Sequence, residues 1–224
     1  MTSATDIRLA RLLQLASPTL PVGAYSYSQG LEAAAEAGVV RDAATATRWI
    51  GDVLEYSVAR MEAPVVLRLI DAWRAGDAAA VARWNDLFLA SRESAELRAE
   101  TVQMGYSLAR LLGELGEGDA PQGIEEATFP AVFAFAVARW DIESQPALVA
   151  YVWAWLENQV MAAVKAVPLG QTDGQRTLLL LGERLALIAD RAASTADDEL
   201  GSFAPRLAIL SSRHETQYSR LFRS

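Results

Sequence analysis

The 224-residue chain has no cysteine, one histidine (His214) and one lysine (Lys165), and each scarcity removes a class of function. Without thiols there is neither a disulfide framework nor a thiolate metal site, and one imidazole is too few for a self-contained nickel or zinc centre. No resident metal or cofactor is expected. Long apolar runs are also missing, because Arg, Glu, Asp or Gln interrupts each candidate before the roughly 18 residues that span a bilayer. The first residues carry Asp6, Arg8 and Arg11 without a signal-peptide core. A cytoplasmic chain that stays off the membrane is expected. The signatures of catalysis are absent as well: no Gly-x-x-x-x-Gly-Lys-Ser/Thr loop, no Gly-x-Ser-x-Gly elbow, no His-Glu-x-x-His pair. Asp197, Asp198 and Glu199 lack partner carboxylates at helical spacing and read as a solvated link before Gly201. Neither Glu32 nor Glu143 has an identifiable acid, base or nucleophile beside it, so no catalytic residue is assigned.

What is present is a hydrophobic fraction of 52% and a net charge of −8. That fraction suffices for one domain with a sizeable core. The charge disfavours nucleic acid, since phosphate binding needs a concentrated basic surface and the arginines here are dispersed among acids. Protein partners fit better.

Apolar residues recur at helical spacing along most of the chain. Ile7, Leu9, Leu12, Leu13 and Ala16 are read as one face of a first helix, stopped by Pro18, Pro21 and Gly23. Asp42 is a plausible cap for a helix with the stripe Ala46, Trp49, Ile50, Val53 and Leu54, and Val65, Val66, Leu69, Ile70 and Trp73 form a second stripe. Gly76 and Asp77 make a very short link to a helix bearing Val81, Trp84, Leu87 and Phe88. From Ser94, the series Leu97, Thr101, Met104, Leu108, Leu111 and Leu115 predicts a long helix with a narrow seam. Gly116 to Glu126 reads as an exposed loop, Phe129 to Trp140 as a buried helix, and Leu148, Val152, Trp155, Gln159 and Ala162 as the face of a long helix ending near Val167. Leu178, Leu181, Leu185 and Ile188 give one further amphipathic helix. With no strand-like alternation, the expected fold is all-α: a single-domain layered bundle of roughly nine or ten helices over residues 1–210, followed by a docking tail at 211–224.

Three stretches attract attention as sites. Tyr25 and Tyr27 sit on a connecting segment, where aromatics suggest recognition, and Ser26-x-x-Gln29 has the pattern of a capping box, as does Thr172-x-x-Gln175. Lys165 falls in the last turn of its helix, where a cation is favoured by about 0.3–1 kcal/mol whatever its function. The loop beyond it brings Gln171, Asp173 and Gln175 near the ammonium. The tail holds three arginines against one acid, with Tyr218, Leu221 and Phe222. It is expected to be mobile in isolation and to fold onto an acidic, grooved partner, the alternative being a tail docked on its own domain. A lone histidine beside Arg213 is read as a hydrogen-bonding group.

Three blocks resemble the urease accessory protein F family: LQLASPTLPVGAYSYSQGLE from Leu13, VMAAVKAVPLGQTDGQR from Val160 and SRHETQYSRLFRS from Ser212. A weaker one, SRESAELRAETVQMGYSLARLL from Ser91, extends the similarity, which is poorest between Gly116 and Gln145. The resemblance implies a noncatalytic, dimeric, all-α chaperone that bridges the accessory protein UreD (UreH) and the GTPase UreG while nickel is delivered to apo-urease. It also implies a GTPase-facing surface of Tyr25, Ser26, Tyr27, Gln29, Glu32, Lys165, Gln171, Asp173 and Gln175. The UreD-type partner would take the tail through Arg213, His214, Glu215, Tyr218, Arg220, Leu221, Phe222 and Arg223. A helical small-molecule-binding regulator, or an all-α enzyme with the tyrosine-rich loop lining a pocket, is the competing class.

Overall fold

A computed structural model describes residues 4–118 and 124–224, and every described element is helical. Eleven α-helical segments follow one another: α1 Ala4–Ala16, α2 Leu31–Glu36, α3 Ala43–Val53, α4 Ala63–Ala75, α5 Ala78–Ala90, α6 Ala95–Glu114, α7 Phe129–Arg139, α8 Ser144–Ala166, α9 Gln171–Gly182, α10 Leu185–Ser194 and α11 Pro205–His214. The π-helical stretch Leu54–Glu62 joins α3 to α4 in one continuous rod, so the segments form ten separate rods, within the expected range.

Two helices organise the core. Apolar nearly all round, α7 packs between α4 and α6 and buries Ala131 to Ala134, Ala136 and Val137. The α6–α7 approach is so close that a Cβ at Gly105 would lie 2.1 Å from the Ala127 carbonyl oxygen. The second, α8, is bordered by α1, α2, α4, α9 and α10 and buries Leu148, Val152, Trp155, Gln159 and Ala162, the face read from the sequence. Its length and composition would suit a membrane span, although Glu157 and Gln159 interrupt the apolar run as expected. Over half of that stretch is buried inside the protein, which accounts for its apolar character.

Several local expectations are met. Asp42 caps α3 in a capping box with Thr45, and Ser94 caps α6 through the Leu97 amide. Others need correction. On α1 only Leu12 and Leu15 are buried, while Ile7, Leu9 and Leu13 are exposed. At roughly 100° per residue, Leu9 and Leu13 turn away from the edge that Leu12 and Leu15 present to α8. The α6 seam continues through Leu112, leaving Leu115 exposed at the helix end. The single amphipathic helix expected around Leu178 and Ile188 is two, broken at Glu183 and Arg184, although Leu178, Leu181, Leu185 and Ile188 are all buried. Of the loop expected at Gly116 to Glu126, residues 119–123 lie outside the described residues. Asp197 takes part in an ion pair with Arg68 at 2.7 Å, in keeping with a polar link.

Candidate functional site

Blocks far apart in sequence meet on one side of the bundle. After α1 the chain turns through Pro18 and Pro21 into a short 3-10 turn, Ala24–Ser26, and then passes through two left-handed residues, Gln29 (φ 51°) and Gly30 (φ 76°). Gly30 is needed twice over: it has a positive φ, and a Cβ there would press within 3.3 Å of Leu207 and 3.4 Å of the Ser211 backbone nitrogen on α11. Gln29 tolerates the same region at a cost of order 1 kcal/mol. Its side chain is held at both ends, accepting from Trp155 Nε1 at 2.7 Å and donating to Glu100 at 2.7 Å. Neither expected capping box forms. Ser26 belongs to the 3-10 turn and α2 starts only at Leu31, where Ser28 Oγ accepts from the Glu32 amide; Thr172 lies inside α9, whose N-cap is Gly170.

The tail is docked on its own domain, which corrects the expectation of a mobile segment. The boundary drawn between residues 210 and 211 falls inside α11, and α11 packs against α2 and α6. Glu32, 7% exposed, is the anchor. One carboxylate oxygen accepts from the Leu221 amide at 2.7 Å; the other accepts from the Phe222 amide at 2.9 Å and lies 3.3 Å from His214 Nε2. The His214 ring is completely buried, and its Nδ1 lies 2.7 Å from Glu96, which also accepts from Arg220 at 2.6 Å. Further along, the Arg223 amide donates to the Ser26 carbonyl at 2.8 Å, and the Ser28 amide to the Ser224 backbone oxygen at 2.9 Å. Phe222 is buried beneath Lys165, whose ammonium sits 5.8 Å from the ring centroid.

Behind this latch lies a second buried polar group. Glu100 on α6 accepts from Gln29 and from Ser224 Oγ at 2.8 Å. Burial pushes its carboxyl up to about 7, those two hydrogen bonds opposing the rise and the neighbouring Glu62 adding to it. Glu62 accepts from the Tyr151 hydroxyl and pairs with Arg92 at 3.5 Å. Burial, with Glu62 close by, raises the Tyr151 phenol well above its usual range. These groups line the inner end of a cavity of about 210 Å³ that runs along α8, past Ala154, Trp155, Asn158 and Met161, to a mouth at Tyr25, Glu157 and Lys165.

The sequence-predicted residues therefore divide into two sets. Tyr25, Lys165, Gln171 and Gln175 are exposed, and Ser26 and Asp173 are partly so. Asp173 pairs with Arg176 at 2.9 Å. Tyr27 and Glu32 are buried and Gln29 is mostly enclosed, so these three shape the surface from below and do not form it. On the tail, Arg213, Glu215, Tyr218, Arg220, Leu221 and Arg223 are exposed, Tyr218 and Leu221 conspicuously at 104% and 71%, whereas His214 and Phe222 face inward. Sequence reading missed Ser28, Glu62, Glu96, Glu100 and Trp155 as site residues. One signal was available: Glu100 is an acid next to the apolar seam Leu97, Thr101, Met104. Among the described residues no group of three or more His, Asp or Glu is placed to hold a metal ion.

Among known proteins, residues 40–182 match the family described as UreF. A protein of Azoarcus sp. (strain BH72) named urease accessory protein UreF is 60% identical over 223 residues, covering 96% of this chain and 95% of its own. Its namesake in Dechloromonas aromatica (strain RCB) is 54% identical over 226 residues, covering 98% and 99%. A Bordetella bronchiseptica protein named bifunctional urease accessory protein UreEF is 53% identical over 234 residues, taking in 100% of this chain but 54% of the relative.

Proposed function

Because this chain belongs to the UreF family of urease accessory proteins, we propose that it serves urease maturation as a noncatalytic cytoplasmic scaffold. In this reading it bridges a UreD/UreH-type protein and the GTPase UreG during nickel insertion into apo-urease, works as a homodimer and modulates the GTPase. Nickel is its cargo and belongs to no centre of its own. One observation carries the reading: the tyrosine loop, the Lys165 end of α8 and the tail, scattered over some 200 residues, meet through the Arg223–Ser26 and Ser28–Ser224 bonds and the seat of Lys165 over Phe222. The exposed residues divide by chemistry. Lys165, Tyr25, Gln171 and Gln175 offer a cation and hydrogen-bonding groups to the GTPase, while Tyr218, Leu221, Arg220 and Arg223 offer aromatic, aliphatic and arginine anchors to the UreD-type partner.

Two substitutions test the division. Lys165→Ala should weaken capture of the GTPase by purified protein, with helicity and the UreD-type complex unchanged; normal capture would leave Lys165 as a helix-end cation only. Paired Tyr218→Ala and Leu221→Ala changes remove side chains that the domain does not bury, so they should weaken the UreD-type complex without altering the fold. An unchanged complex would refute the tail assignment. The competing class of small-molecule-binding regulator has one observation in its favour, the cavity that Tyr25 lines, and the two roles are compatible.

A further inference from the structure

The cavity along α8 has a directional chemistry that the scaffold role does not use. Its lining is mostly apolar and rich in aromatic faces: Phe88, Phe129, Tyr151, Trp155 and, at the mouth, Tyr25. Two carboxyl groups, Glu62 and Glu100, sit among these rings at the inner end. Glu62 is satisfied by Tyr151 and by Arg92, whose guanidinium lies flat on Phe88, 4.2 Å from the ring centroid. Among the described residues Glu100 makes no ion pair within 4 Å: its hydrogen bonds come from the neutral donors Gln29 and Ser224, and the nearest cation acting on it is Arg92, already paired with Glu62. Lys165 and Glu157 also line the cavity, the Lys165 ammonium lying over the Phe222 ring. A buried carboxyl with no ion pair of its own, beside an apolar cavity lined by aromatic rings, is complementary to a cation on a slender aliphatic stem.

We propose that this cavity binds an alkylammonium group, its stem lying between α8 and the Leu15–Ala24 segment and its head donating to Glu100. A free aliphatic amine and the side chain of a lysine on another protein share that chemistry. Binding would convert Glu100 fully to the carboxylate. Since its carboxyl is held near 7 by burial, with Tyr25, Glu62, Arg92, Tyr151, Glu157 and Lys165 as the other charged or titratable groups lining the cavity, a proton should be released when the cation enters.

The test uses the purified chain and n-hexylammonium chloride, with sodium hexanoate as the opposite-charge control of equal stem length. Calorimetry in two buffers of different ionisation enthalpy should show saturable amine binding with release of about half a proton near pH 7. Hexanoate should bind at least tenfold more weakly. Glu100→Gln, nearly isosteric, should weaken amine binding at least tenfold and abolish proton release, with its helical spectrum unchanged. Should that variant misfold, the proton release and the charge preference of the parent decide the matter alone. Absence of amine binding, equal binding by Glu100→Gln, or a preference for hexanoate would each overturn the proposal. A lysine-centred pentapeptide run alongside assigns the source: tighter binding than hexylammonium marks a protein side chain as the natural occupant, and weaker binding a free amine. Failure here leaves the scaffold reading intact, because neither partner protein is in the assay.

Discussion

Replacing Glu32 by Ala would remove the anchor of the tail, and the size of the effect follows from its bonds. The carboxylate accepts two main-chain N–H groups at 2.7 and 2.9 Å and faces His214 Nε2 at 3.3 Å. Hydrogen bonds to a charged acceptor contribute about 1.5–3 kcal/mol each, so the two main-chain bonds alone put the loss at about 3–6 kcal/mol. What remains is Phe222, whose burial contributes about 1.5–3 kcal/mol, together with the bonds of Arg220 to Glu96, of the Arg223 amide to Ser26 and of Ser224 to Ser28 and Glu100. Without the anchor, the segment around Leu221 and Phe222 should open far more often while the helices stay in place. Native-state hydrogen exchange reads this directly. In Glu32→Ala, protection of the Leu221 and Phe222 amides should fall by about a hundredfold or more, with the α7 amides unchanged near neutral pH. Glu32→Gln, which keeps one acceptor oxygen, should lose about half as much in free energy. If both amides in Glu32→Ala stay within about threefold of the parent, the bonds do not hold the tail and the reasoning fails.

Gly105→Ala should destabilise the fold by about 1–3 kcal/mol or more, because the added methyl meets the main chain at Ala127 to Phe129, which cannot rotate aside; a urea midpoint equal to the parent's would refute the close approach. The raised carboxyl of Glu100 predicts a pH dependence. Held at about 7 when folded against an ordinary 4.5, it binds more protons in the folded than in the unfolded state between those values, so stability falls as pH rises through that window, by about 3 kcal/mol in all. Glu100→Gln should therefore gain on the parent as pH rises from about 4.5 to 7, and a flat difference across that range in urea titrations would refute the assignment. Asp42→Ala removes the half of the capping box in which its carboxylate accepts from the Thr45 amide, keeping the main-chain bond to Thr45, and should lower the midpoint of the same titrations.

The helices were legible because their signal is periodic and local. Apolar stripes such as Leu148, Val152, Trp155 and Ala162 need only the 3.6-residue repeat to be read, and Asp42 and Ser94 cap residues three positions away. Expectations failed where a residue's role depends on something distant. Ser26 and Thr172 carry the capping-box pattern, yet the left-handed pair at Gln29 and Gly30 moves the start of α2, and Gly170 starts α9 two residues before Thr172 would allow. The buried acids had still less signal. Glu32, Glu96 and Glu100 look like surface residues of amphipathic helices until α11 and the tail are laid over them, and those partners lie more than 115 residues away along the chain.

That burial changes how motif residues should be understood. Glu32 and Tyr27 belong to the stretch shared with the family, and a loss of GTPase capture on changing either would ordinarily count as proof of a contact. Here Glu32 holds Leu221 and Phe222, and Phe222 lies beneath Lys165, so removing the acid displaces the support of an exposed lysine without any partner having touched Glu32. Loss of binding in Glu32→Ala is therefore the expected result whether or not Glu32 meets the GTPase. Separating contact from support requires exposed positions whose side chains the domain does not use, Tyr25 and Gln175 for one partner and Tyr218 for the other. At those positions a loss of binding with unchanged amide protection at Leu221 and Phe222 can come only from the interface.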